Sequence, residues 1–122
     1  MVKAALRIRI DFDEGTILSP GKVRLFELVD ECGSVEEAAA AIQMSEDLAR
    51  QVIARLEGLF GAPLIASKPD GPDRSRSELT ELARKVIERY YAAERTSAIA
   101  AERLVGELLS LAPDKQDHTG PG

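Results

Sequence analysis

Residues 45–55, "SEDLARQVIAR", carry Arg50, Gln51 and Arg55 within one helix-forming stretch. Each could read a base in the major groove: arginine offers two parallel donors to guanine, glutamine a donor and an acceptor to adenine. Glu46 and Asp47 stand just ahead of them. A carboxylate can accept from the N4 amine of cytosine. It can also complement the positive end of a helix dipole for about 0.3–1 kcal/mol. Against that, it repels the phosphates that a helix N-terminus otherwise attracts. The acidic pair therefore either reads cytosine, stands aside as a helix-end device, or abolishes binding. Lys22, Lys68, Arg74 and Arg76 are placed to meet backbone phosphates, and Ser34 and Ser45, at two helix starts, complete the candidate DNA-contacting set.

Other chemistries find little support. The sequence shows no nucleophile–base pair, no glycine-rich phosphate loop and no cluster with metal-ligand spacing, so neither an enzyme nor a cofactor is expected. One histidine, His118, and one cysteine, Cys32, cannot build a zinc site of the usual type. Cys32 reads as a small buried hydrophobe, because a reactive thiol wants cationic neighbours and Glu31 is the opposite. With 16 Lys and Arg against 21 Asp and Glu, the net charge is −5. That balance weighs against a nonspecific nucleic-acid binder but leaves room for a locally basic surface. No apolar run is long enough to span a membrane, and charges interrupt every apolar run of "MVKAALRIRIDFDEG", leaving no secretory pattern. A single cysteine fits the cytoplasm.

Elements must hold those side chains in place. In "ALRIRIDF", residues 5–12, Leu6, Ile8, Ile10 and Phe12 alternate with Arg7, Arg9 and Asp11, the period of a half-buried strand. After the turn "DEG", residues 16–18 can return as a second strand. Pro20 opens a first helix with Val23, Leu25 or Leu28, Phe26, Val29 and Cys32 inward, closed by Gly33. Ser34 and Glu37 form an S-x-x-E capping box for a second helix rich in alanine. The chain breaks near Gln43-Met44, and Ser45 caps a third helix over 46–60. Its expected core stripe is Leu48, Ala49, Val52, Ile53, Leu56 and Leu59 or Phe60, and Gly61 ends it. Residues 64–66 and 77–80 read as two short strands around a turn-rich, partly basic tip, "PDGPDRSR", which describes a wing.

From Glu81 a long helix is expected through Leu82, Val86, Tyr90, Leu104 and Leu108. If unbroken it reaches roughly 45 Å at 1.5 Å per residue. That apolar length suggests a second copy of the chain. The competing reading is a fold-back, with Ser97 capping a separate helix. Tyr90 and Tyr91 read as packing at a dimer seam.

The order and spacing of these segments resemble the DNA-binding half of ModE-type molybdate-responsive regulators, themselves related to the LysR-type winged helix-turn-helix. "LRIRIDF" with "GTILSPGKVRLFELVDECGS" matches that family's opening hairpin and first helix, "AAAAIQMS" its second helix and turn, "FGAPLI" the start of its wing, and "ELT" the start of its last helix. The resemblance covers residues 4–92. It departs at Glu46 and Asp47, where basic or aromatic residues are usual, at Gln43, where glycine is frequent, and in a wing whose tip keeps only Gly71. The resemblance implies that full-length relatives sense molybdate with a separate C-terminal domain. With 122 residues there is no room for one, so molybdate sensing is not expected of this polypeptide.

The expected class is mainly α with small β (α+β). A winged helix-turn-helix DNA-binding domain occupies residues 4–76, a long C-terminal dimerisation helix 77–111, and a disordered tail 112–122. Leu82, Val86, Tyr90, Leu104 and Leu108 are expected at the dimer seam. The expected function is a cytoplasmic, homodimeric transcriptional regulator on a palindromic duplex. The alternative is a winged-helix protein-interaction module that has lost DNA, motivated by Glu46, Asp47 and the acidic balance.

Overall fold

The computed structural model describes residues 3–67 and 76–113, Glu14 by its backbone alone. The observed order is β1 (Ile10–Asp11), a 3-10 turn (Asp13–Gly15), β2 (Ile17–Leu18), α1 (Pro20–Cys32), α2 (Val35–Ala41), α3 (Glu46–Phe60), β3 (Ile65–Ser67), β4 (Ser77–Leu79) and α4 (Glu81–Leu111). The protein is thus mostly helical, with a hairpin before and a two-stranded wing after a helix-turn-helix. No helix among the described residues is long and apolar enough to cross a membrane.

The chain divides into two units, Ile8–Arg89 and Met1–Arg7 with Tyr90–Gly122. In the larger unit the caps decide where helices start and stop. Ser34 Oγ accepts from the Glu37 amide at 3.0 Å, and Ser45 Oγ accepts from the Leu48 amide at 3.1 Å. Each satisfies an amide that the first helical turn leaves without a partner. Gly33 and Gly61 end α1 and α3 at φ 86° and 74°, left-handed conformations that cost little only for glycine. Between α2 and α3, Gln43 also adopts a positive φ, 58°, where a side chain is strained.

The core of this unit joins Val23, Leu25, Phe26, Leu28 and Val29 of α1 to Val35, Ala38 and Ala39 of α2, to Ala49, Ile53 and Leu56 of α3, and to Leu18, Leu64, Leu79 and Ala83. The alanines of α2 let α1 and α3 close on it, since a small side chain permits close helix approach. Phe12 and Phe60 meet edge-on, centroids 6.2 Å apart, fastening the hairpin to the end of α3.

Three expectations change here. The hairpin strand is shorter than residues 5–12: the ladder runs from Ile10 opposite Leu18 to Asp11 opposite Ile17. The α3 stripe is narrower: Leu48 is 49% and Leu59 39% exposed, and both lie on a flank of the helix rather than on the Ala49–Ile53–Leu56 side. Cys32 is half-buried rather than sealed in the core.

The wing is antiparallel, with Ile65 opposite Leu79 and Ser67 opposite Ser77. Residues 77–79 therefore belong to the wing, and α4 starts at Glu81. Thr80 caps it, accepting from the Ala83 amide at 3.2 Å and donating its hydroxyl to Pro63 O at 2.9 Å. The helix continues unbroken through Arg95-Thr96-Ser97 to Leu111, 31 residues. Ser97 caps nothing, and the fold-back does not occur. In the smaller unit, residues 4–7 line a groove with Arg95, Ala98, Glu102, Val105 and Leu109 of α4, while Leu104, Leu108 and Leu111 stay 55%, 66% and 81% exposed. The tail from residue 114 and the wing tip, residues 68–75, lie outside the described residues.

Candidate nucleic-acid interface

The outward ridge of α3 is formed by Asp47, Gln51, Ala54 and Gly58, all exposed. Helical spacing puts Arg50 on one side of that ridge and Arg55 on the other. The ridge itself is lean, so a groove floor could approach the backbone closely between two basic edges.

On the first edge, Arg50 is engaged. Its Nε and one terminal nitrogen both lie 2.7 Å from Oε2 of Glu46, four residues earlier. Glu46 is the partner of the arginine best placed near the helix start, a spacing at which side chains meet on a helix surface. Asp47 is exposed and lies on the ridge, where it would face whatever the helix meets. Ser34 and Ser45 have committed oxygen lone pairs to their caps. Their hydroxyl hydrogens remain donors for an anion.

The same edge carries the wing. Arg76 lays its guanidinium over Gly33, whose missing Cβ would lie 2.6 Å from the guanidinium carbon. Ser77 donates its amide to Gly33 O at 2.7 Å. Ser34, Glu36, Glu37, Arg50, Arg76 and Ser77 line one polar groove between α2, α3 and the wing. Two carboxylates unmarked in the sequence set the wing's position. Glu57 of α3 accepts from the amides of Leu64 and Ile65 at 2.8 and 3.4 Å. Asp30 of α1 accepts from the Leu79 amide at 3.3 Å and from both terminal nitrogens of Arg84, each at 3.3 Å. Nothing local in the sequence marks these long-range bonds.

On the second edge, Lys22 is half-buried. Burial, then the charges of Arg55 and Arg9, push its ammonium below the ordinary value of 10.5. Lys68 and Arg74 lie outside the described residues.

Of the residues expected at a dimer seam, Leu104 and Leu108 are open to solvent. Leu82 and Val86 are half-buried. Tyr90 is 2% exposed in the single chain and sits edge-on to Tyr91, centroids 5.5 Å apart. Its ring is thus buried within the single chain, whereas Leu104 and Leu108, with Ile99 and Leu111, are the exposed large apolar side chains of α4 among the described residues.

The model of the bacterial regulatory helix-turn-helix protein, lysR family, matches residues 21–84. The chain belongs to that family. It is 31% identical over 102 residues to the molybdenum transport protein ModE of Azotobacter vinelandii, covering 84% of this chain and 38% of that protein. It is 24% identical over 111 residues to the transcriptional regulator ModE of Haemophilus influenzae (strain ATCC 51907 / DSM 11121 / KW20 / Rd), covering 91% and 44%. The chain thus spans less than half the length of these curated relatives. Among solved structures, the CbnR DNA-binding domain in its DNA complex superposes with a TM-score of 0.53 at 18% identity, over 71% of this chain and 94% of that one. That likeness bears out the winged-helix fold.

Proposed function

We propose that this chain is a DNA-binding transcriptional regulator that reads duplex DNA with the outward face of α3 and works as a homodimer joined along α4. The observation that carries the reading is the helix-turn-helix itself. α3 is capped at both ends and buries Ala49, Ile53 and Leu56 in the core. It turns Gln51, Arg50 and Arg55 outward, with Arg76 of the wing beside it. Membership of a regulatory helix-turn-helix family and similarity to the two ModE proteins support it.

The reader set is Gln51 and Arg55, with Arg50 joining when it leaves Glu46. Ser34, Ser45, Lys22 and Arg76 hold phosphates. Glu46 serves Arg50 and the helix end, and Asp47 tunes the approach. A dimer seam along Leu104, Leu108 and Leu111 would set two α3 helices about 34 Å apart on a palindromic site. Cytoplasmic location follows from that role. A site selection from random duplexes at low salt tests this: enrichment of a palindrome is the expected outcome. Failure of the folded protein to enrich any duplex would sink the proposal.

A further inference from the structure

We propose that Arg9 and Lys22, with the charge of Arg55 beside them, form one oxyanion site that takes a backbone phosphate of the duplex on the hairpin side of α3, an inference that rests on the DNA-binding reading above. Three elements bring the cations together. The pairing of Ile10 with Leu18 puts Arg9, which precedes β1, at the end of the hairpin from which Ser19 leads into α1. Lys22 follows in the first turn of α1, which holds no acidic residue. The contact of Phe12 with Phe60 draws the hairpin onto α3, where Arg55 projects from the outer surface.

Lys22 feels the positive charge of both Arg55 and Arg9 together with partial burial. Arg9 is offset by Asp11, two residues further on, at 2.7 Å. Lys22 and Arg55 carry no hydrogen bond or ion pair among the described residues. Gathering three like charges and desolvating one of them is unfavourable without a counter-ion. A phosphate supplies that counter-charge. The placement suits DNA in particular: the major groove is about 12 Å wide and walled by phosphates on both sides. Arg50 and Arg76 stand on one side of the α3 ridge, and this cluster stands on the other.

The test is the salt dependence of binding of the full chain to a duplex, compared with an Arg9→Ala/Lys22→Ala variant and with Lys22→Gln. A single lost phosphate contact lowers the slope of log K against log salt by about 1, and weakens selected and scrambled duplexes by the same factor. The variants should also melt no lower than the parent, because like charges are being removed. An unchanged slope and affinity, with the parent still binding DNA, overturns the proposal. If the parent binds no duplex, the DNA reading fails separately, and inorganic phosphate then decides the site. Phosphate-induced shifts of the Arg9 and Arg55 Nε resonances, lost in Lys22→Gln, would mean that the site takes free oxyanions and would overturn the backbone-phosphate assignment. No shift overturns the site altogether.

Discussion

Arg50 and Glu46 show what a single pair does on the face proposed to meet DNA. The i, i+4 spacing was visible in the sequence, yet each residue reads alone as a DNA contact or a DNA repellent. The structure spends one on the other at 2.7 Å. Replacing Glu46→Gln should free Arg50 and remove a negative charge from the helix start. Affinity for any duplex should then rise by about 0.5–1 kcal/mol. Fold stability should fall by about 0.5 kcal/mol, because an exposed pair and a helix-dipole contact are lost. Anisotropy titrations and thermal melts check the two signs, and weaker binding to the selected site would instead make Glu46 a reader of cytosine. Gln43 offers a cleaner stability test. Its φ of 58° costs a side-chain-bearing residue about 1–2 kcal/mol, and glycine gives back roughly 0.5–1 kcal/mol of that through its looser unfolded chain. Gln43→Gly should stabilise by about 0.5–1 kcal/mol in denaturant unfolding. Lys22 yields a pH prediction. Its folded-state pKa lies below 10.5, so the unfolded chain holds the proton more tightly, and stability rises with pH as the solution climbs from the folded value towards 10.5. The melting-temperature advantage expected of Lys22→Gln should shrink over that same window.

At the scale of elements, legibility followed locality. The bounds of α3 were readable because Ser45 and Gly61 act on their immediate neighbours. The alternation of residues 5–12 reports which side of a chain is apolar, and it cannot report whether a ladder partner exists. The strand itself is Ile10–Asp11. The apolar spacing of α3 likewise cannot say which flank its neighbours cover: Leu48 is exposed, and of the pair Leu59 or Phe60 it is Leu59 that stays open. The wing's anchorage was illegible, because Asp30, Glu57, Gly33 and Arg76 act across long stretches of chain. That anchorage can be tested. Asp30→Ala removes the acceptor of the Leu79 amide and of the half-exposed Arg84 fork, and should cost about 1 kcal/mol with faster amide exchange at Leu79. Gly33→Ala combines an unfavourable φ of 86° with a clash against the Arg76 guanidinium. It should cost about 1–2 kcal/mol. In a double mutant, Arg76→Ala should return only the part due to the clash; full recovery would mean that the left-handed cap carries no cost.

For the whole molecule, an acidic chain of net charge −5 binding a polyanion needs its cations sorted onto one surface and its sites doubled. On the proposed reading a second copy would meet α4 along Leu104, Leu108 and Leu111, which are exposed there. Leu104→Glu/Leu108→Glu should convert a dimer to a monomer by sedimentation, leave the melting of the larger unit intact, and cut operator affinity far more than half-site affinity. A parent chain that sediments as a monomer at every concentration would remove the dimer from the account. The central claim is narrower: the outward face of α3 is what meets DNA. It is tested most directly by selecting binding sites for the parent and for Gln51→Ala and Arg55→Ala side by side. Each variant should stay folded, lose about 1–3 kcal/mol on the parent's site, and relax preference at its own base position. Identical selected sequences and affinities for all three proteins would contradict it.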